Sequence, residues 1–403
     1  MYLISHPTGN QNSRQAALAL ADAGQLRKFF TALAVPAAVL RLVGKNAIGA
    51  ELARRHFTAL QQQVRSSARI REGLRLLAPH LGLTRLCRHE TGWASVDQVY
   101  RAVDRSAAVA TQHDRKLSAV YCYEDGALQT FTAAKGKGLR CIYELPIGYW
   151  RTHRTICEAE AALQPQWAHT WHASYDSSAK LARKDREIAL ATDIVVPSHF
   201  VADSLNHYPG PKPRLHIVPY GNPPAIKHSE RRWHDQGVLK LLYVGGLTQR
   251  KGLSYLVEAL RPLKGRVELR VIGTGAGVEL LRDECRLLGS LPHAAVLDAM
   301  RQSDVFVFPT LFEGYSLAVA EAMSQGLPVI TTPHSGTADI ITNGKDGWIV
   351  PIRDSVAIHD RIESYLREPR SVQRMGMAAL ETATGMSWSG YRQRLQRSLF
   401  SQD

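Results

Sequence analysis

The sequence predicts an α/β protein of two Rossmann-like domains, and three stretches carry that prediction. Val305-Phe306-Val307-Phe308 is a continuous apolar run, the pattern of a parallel strand buried on both faces. Pro309 ends it, and a helix is expected from Ser316 with Leu317, Val319, Ala320, Ala322 and Met323 as its apolar positions. Gly326 and Pro328 then stop that helix before a new strand at Val329-Ile330. Residues 239–260 repeat the order of strand, glycine-containing loop and helix, and residues 1–24 give a weaker version of it.

With 403 residues the chain is long enough for a large core and for two or three domains. Its 45% hydrophobic and 21% charged content is ordinary for a globular protein. No apolar run reaches the roughly 18 residues of a spanning helix, and residues 1–10 lack the basic segment and long apolar core of a signal peptide. Cys87, Cys122, Cys141, Cys157 and Cys285 are scattered without metal-ligand or redox spacing, so we expect reduced thiols, no metal site and a cytoplasmic address. The net charge of +14 is uneven, since residues 1–150 hold 20 Lys/Arg against 10 Asp/Glu. No nucleic-acid reading motif accompanies that charge, so nucleic acid is not an expected partner. A solvated basic face, an acidic substrate and an anionic membrane surface remain as its meanings.

Taken in order, residues 1–5 read as a strand, 6–10 as a turn and 12–23 as a helix stopped by Gly24. Residues 51–86 read as one or two helices dense in arginine, with Phe57, Leu60, Val64, Ile70, Leu74, Leu76 and Leu77 interleaved. Such a segment is either a solvated surface helix or a peripheral contact with an anionic membrane, at its inner face. Strands are expected at 118–123 and 139–144 around a helix at 127–137, so Tyr123 and Glu144 fall in loops at strand carboxyl ends, where chemistry is expected. Residues 157–190 read as a long charged helical region, 193–197 as a strand, and Ser198 as the N-cap of the next helix. The Pro-rich, then charged, segment 223–237 is placed as the hinge. The first domain is therefore expected over 1–221 and the second over 222–385. The last helix, 386–403, either crosses back to the first domain or caps the second.

In the second domain, Arg250 and Lys251 sit in the glycine-containing loop after the strand 239–244, a phosphate-binding layout. Glu313 lies in the loop after Phe308, and Glu321 lies eight residues on, about two turns into the helix. Gly314 permits close backbone approach, and the N–H groups of Gly314, Tyr315, Ser316 and Leu317 are expected to face outward at a positive helix end. Hydroxyl acceptors beside phosphate donors suit a nucleotide sugar.

The segment FEGYSLAVAEAMSQGLPV, with its E-x7-E pair, resembles the signature of the retaining glycosyltransferases of family 4, the glycosyl transferases group 1 of GT-B type. The likeness covers 239–366 closely and 190–221 more loosely, through Pro197-Ser198-His199-Phe200 and His216 to Gly221. It implies a GT-B fold with a deep interdomain cleft. It also implies a hexosyltransferase that moves a sugar, with retention and without metal or cofactor, from a UDP- or GDP-sugar to an acceptor hydroxyl. That acceptor is a glycan, a lipid-linked saccharide or a small molecule.

Glu321 would then take the ribose hydroxyls, Glu313 the donor sugar, and Arg250, Lys251 and the 314–317 backbone the diphosphate. Gly273 and Gly275 fall in register with the family's G-x-G, and Leu291 lies in the segment placed against the nucleobase. Relatives often carry an arginine where this chain has Gly246, and Arg250 is expected to substitute. The first loop, through Gly9, Asn10 and Arg14, would face sugar and acceptor, unless it is simply a structural turn. Relatives often place a histidine in the strand-end loops that here carry Tyr123 and Glu144. That departure keeps an alternative open: a non-catalytic nucleotide-binding or membrane-docking protein on the same scaffold.

Overall fold

The computed structural model describes residues 1–43, 47–171, 176–228, 231, 233 and 237–400. Strands β1 (Tyr2–Ser5), β2 (Leu26–Thr31), β3 (Val64–Ser66), β4 (Ala119–Tyr123), β5 (Arg140–Glu144), β6 (Asp193–Val196) and β7 (Arg214–Ile217) form one sheet, ordered β3-β2-β1-β4-β5-β6-β7. A second sheet holds β8 (Leu239–Val244), β9 (Val267–Ile272), β10 (Arg286–Gly289), β11 (Val305–Phe308), β12 (Val329–Thr331) and β13 (Gly347–Ile349), ordered β10-β9-β8-β11-β12-β13. Both sheets are parallel throughout their named pairings. Their central strands are apolar because helices cover both faces, and all four residues of β11 are buried.

Strand order reverses between β1 and β4 in the first sheet and between β8 and β11 in the second. Crevices for ligands form outside the carboxyl ends of strands at such switch points. The loop after β8 carries Arg250 and Lys251, and the loop after β11 carries Glu313. The two sequence-predicted charge centres of the second domain therefore flank one switch point.

Two helical expectations are corrected. Residues 51–86 are not a long helix: they comprise the end of a helix at Ala47–Ala53, a 3-10 turn at Thr58–Leu60, the edge strand β3 and a helix at Arg69–Leu77. Val64 is drawn into the sheet by pairing with Phe29 of β2. Residues 157–190 are divided into helices Trp150–Leu163 and Ser178–Leu190, with a 3-10 segment Pro165–Thr170 between them. Pro165 cannot continue the helix. Beyond it, Trp167 and Trp171, each 4% exposed, enter the core of the second domain beside Leu247 and Leu253. Residues 229, 230, 232 and 234–236 of the expected hinge lie outside the described residues.

The chain passes between domains twice, side by side: the Asn222 N–H donates to the Met386 carbonyl, 2.8 Å. The last helix, Trp388–Phe400, lies against the helix Gln11–Asp22 of the first domain. Tyr391, Leu395 and Leu399 are buried there with Ile4 and Leu20, and Gln396 donates to the Ala19 carbonyl at 2.7 Å.

Candidate functional site

The loop after β8 ends in a 3-10 turn, Gln249–Lys251, followed by Gly252 in the left-handed region at φ 69°. That turn is stitched to the loop after β11: Leu311 N–H and Thr310 Oγ1 both donate to the Arg250 carbonyl, at 2.9 and 3.1 Å. The stitching brings the charged side chains together. Arg250 Nη1 donates to the Phe312 carbonyl at 2.9 Å and lies 3.5 Å from Glu313 Oε1, while Lys251 Nζ contacts Glu313 Oε2. Two cations thus share one carboxylate. Lys251 also stands 5.1 Å from the centre of the Phe308 ring. Burial, and then the positive Arg250, push the Lys251 ammonium well below its usual range, while Glu313 supplies the counter-charge. Burial likewise lowers Arg250.

The helix Leu317–Ser324 begins with Ser316 as N-cap, whose Oγ accepts from Val319 N–H. The N–H groups of Gly314, Tyr315 and Leu317 have no acceptor among the described residues, whereas Ser316 N–H donates to the Ser335 carbonyl at 3.0 Å. Ser316 N–H is therefore not among the outward donors expected at this helix start. Gly314 is pinned between domains, because a Cβ there would stand 1.8 Å from the Pro146 carbonyl oxygen, and its own carbonyl accepts from Ser198 Oγ at 2.8 Å. The Tyr315 ring turns away from the helix end and packs edge-on against Tyr220, with centroids 5.6 Å apart. Glu321 is partly buried, and His293 Nε2 lies 2.9 Å from its Oε1.

The glycine loops of the second domain lock onto each other. A Cβ on Gly273 would stand 1.8 Å from the Gly245 carbonyl oxygen, and one on Gly275 2.7 Å from that of Leu247. Leu247 N–H donates to the Thr274 carbonyl at 3.0 Å. Gly246, by contrast, faces open space, and its carbonyl accepts from Tyr243 Oη at 2.8 Å and from Thr248 N–H at 3.0 Å. Leu291 is partly buried against the second-domain core just before His293.

The candidates of the first domain are placed differently. Gly9 packs over Phe57, and Asn10 caps the first helix through Ser13 N–H at 3.0 Å. Arg14 spends its guanidinium on three carbonyls, those of Gly9, Arg54 and His56, and stacks 4.0 Å above the Phe57 ring. These bonds, with His6 Nδ1 accepting from the Thr8 and Gly9 N–H groups, hold the first loop in a turn, and Gly9, Asn10 and Arg14 line a cavity of about 440 Å³ with Glu51, Arg54 and Arg55. Tyr123 is buried against His6, with ring centroids 4.6 Å apart. Glu144 is 0% exposed and accepts a 2.5 Å bond from Tyr121 Oη and another from Tyr220 Oη. Its carboxyl is therefore held inside the first domain, and burial raises its pKa.

Two histidines that sequence reasoning passed over stand nearer the charged centre. His153 stacks on Phe312, centroids 4.3 Å apart, and burial, followed by Arg250, lowers its pKa to about 3. It lines a cavity of about 360 Å³ at the domain junction with Glu124, Trp150, Lys184 and Phe312. Its only sequence signal is its position just beyond the strand-end segment 144–151. The other is His293, first residue of the helix His293–Arg301. The domains are also joined by Glu160, 0% exposed on the first-domain side, which accepts from Gln249 Nε2 and Arg353 Nε, both at 2.7 Å.

Comparison with known proteins agrees with this architecture. Residues 239–368 match the family model described as Glycosyl transferases group 1. WcaL of Salmonella typhimurium, assigned to colanic acid biosynthesis as a glycosyltransferase, is 33% identical over 147 residues, 32% of this chain and 36% of that protein. The amylovoran biosynthesis glycosyltransferase AmsK of Erwinia amylovora is 30% identical over 166 residues, 37% of this chain and 41% of the relative. The chain therefore spans well under half the length of these curated relatives. Among solved structures, the sucrose-phosphate synthase of Thermosynechococcus elongatus superposes with a TM-score of 0.66 at 15% identity, covering 99% of this chain and 98% of that one. Anabaena HepE in complex with UDP and glucose superposes with a TM-score of 0.61 at 14% identity, covering 100% and 99%. The described residues have the GT-B fold, and residues 239–368 match the Glycosyl transferases group 1 model.

Proposed function

We propose that this protein is a retaining glycosyltransferase that moves a hexosyl group from a UDP- or GDP-sugar to an acceptor hydroxyl without a metal ion. The observation that carries the reading is the pair of cations, half-buried Arg250 and buried Lys251, held against Glu313 beside three N–H groups that have no acceptor among the described residues. An ion pair so enclosed is a poor source of stability. Two cations sharing one carboxylate instead leave positive charge for an anion.

In this reading the bond from the anomeric carbon to the diphosphate oxygen breaks, and Arg250, Lys251 and the N–H groups of Gly314, Tyr315 and Leu317 stabilise the charge that develops on that oxygen. The acceptor hydroxyl attacks from the same face, its proton passes to the departing phosphate oxygen, and the configuration is retained. Glu313 orients the donor sugar and stabilises positive charge at the anomeric carbon, while Glu321 accepts from the ribose hydroxyls. The UDP and glucose bound by the HepE structure support the donor class. Measuring nucleoside diphosphate release from UDP-glucose, UDP-galactose and GDP-mannose, with EDTA present, tests the reaction. NMR of the first product tests retention. Release that requires a metal, or an inverted first product, overturns the corresponding part of the proposal.

The acceptor is proposed to lie at an anionic membrane surface. No helix among the described residues is long and apolar enough to cross a membrane. Ile70, Leu77, Leu81 and Leu83 are nevertheless exposed on one helix and the turn that follows it, with Arg69 and Arg85 exposed beside them. Apolar side chains bordered by arginine suit a bilayer interface carrying negative headgroups. The protein should sediment with vesicles of phosphatidylcholine and phosphatidylglycerol but not with phosphatidylcholine alone, and Leu81→Asp should abolish that binding. Binding that is indifferent to lipid charge and to Leu81→Asp refutes this part.

A further inference from the structure

We infer that His293 is a positioning residue of the donor site: its imidazole fixes the Glu321 carboxylate so that the site selects a ribonucleotide over its 2′-deoxy counterpart. The inference rests on the reading above, in which Glu321 receives the ribose. Its own observation is the 2.9 Å contact between His293 Nε2 and Glu321 Oε1. Among the described residues, His293 is the one hydrogen-bond or ion-pair partner of that carboxylate. The pair joins two different helices, and both residues stand at the carboxyl edge of the second sheet. His293 follows β10 by four residues, and Glu321 belongs to the helix after β11.

A glutamate on a helix surface has three rotatable side-chain bonds, and a carboxylate that wanders cannot receive two vicinal hydroxyls with good geometry. A donor placed at one oxygen fixes the plane of the carboxylate while leaving the second oxygen, and the remaining lone pair of the first, for the ribose. His293 is 62% exposed at its side chain, so its position follows from the carboxylate contact rather than from enclosure in a core. It is also adjacent to the Leu291-Pro292 turn at which the base is expected. A histidine there thus couples the base-side loop to the ribose acceptor.

The test is calorimetric binding of UDP and 2′-deoxy-UDP, with GDP and 2′-deoxy-GDP as the second pair, to the wild-type protein and to His293→Ala, His293→Gln and Glu321→Gln. The wild type should bind the ribonucleotide about tenfold more tightly than the deoxynucleotide, the size of one hydrogen bond to a charged group. His293→Ala should weaken ribonucleotide binding until the two ligands are nearly equal, with deoxynucleotide affinity unchanged. His293→Gln, whose amide N–H reaches the same carboxylate, should restore most of the preference. A purely structural role for His293 would weaken both ligands alike, and that result, or an unchanged ratio in His293→Ala, overturns the inference. If the wild type binds neither UDP nor GDP, the nucleotide-sugar reading falls first and this inference with it.

Discussion

The two sides of the cleft use the same kinds of residue in opposite ways. In the second domain, Arg250 and Lys251 share the carboxylate of Glu313 at one switch point, and Glu321, on the helix that follows β11, pairs with His293. In the first domain, Arg14, Tyr123 and Glu144 lie at the equivalent ends of the first sheet, and all three turn inward onto carbonyls, rings or hydroxyls of their own domain. A polar residue at a strand's carboxyl end is thus a candidate only until its internal partners are counted.

Breaking the second-domain cluster should have the largest effect. Lys251→Met should lower turnover by about 10²–10³-fold, the usual loss when one preorganised donor to a developing oxyanion is removed. Near-normal turnover in a folded Lys251→Met protein would move the diphosphate elsewhere. Glu321→Gln comes next. It should weaken nucleotide binding by about 1.5–3 kcal/mol through one charge-assisted contact, measured by calorimetry.

Glu144→Gln sharpens the contrast, because it should leave the turnover of folded enzyme unchanged and alter the dependence of stability on pH. Burial raises the Glu144 carboxyl in the folded protein, so the unfolded chain releases this proton at lower pH than the folded one. The associated stabilisation is complete below the ordinary carboxylate range and is lost as pH rises through the raised folded value. The wild-type melting temperature should therefore fall more steeply than that of Glu144→Gln above about pH 4.3. Parallel curves would mean that the carboxyl titrates normally. The smallest effect belongs to Gly246→Arg. The position has open space and an ordinary φ, so an added guanidinium should tighten UDP binding by roughly the worth of one exposed charge contact, up to about 1 kcal/mol.

The second domain was legible in the sequence because its signals are local and mutually reinforcing. An unbroken apolar strand, a proline and an N-capping Ser316 together set where Glu313 and Glu321 stand, although Glu321 lies about one turn rather than two into the helix Leu317–Ser324. The two cations were legible as residues of a strand-end loop, although the stitching of Arg250 to Leu311 and Thr310 depends on contacts some 60 residues apart. The first domain was less legible. Val64 reads as part of a helix until its pairing with β2 is known, and Trp167 reads as part of a charged helix until the second domain supplies its partners. Nor does sequence show that Ser316 N–H is taken by Ser335, or that His293 reaches Glu321 across 28 positions.

The most direct test of the central claim is thermal stabilisation of the protein by UDP, GDP and ADP, repeated in EDTA and in the Lys251→Met variant. A ligand at 100 times its dissociation constant adds about 2.7 kcal/mol, which is readily seen as a shift in Tm. The account predicts stabilisation by UDP or GDP that survives EDTA and is sharply reduced in Lys251→Met. Absence of stabilisation by every nucleotide, or stabilisation that Lys251→Met leaves intact, would contradict it.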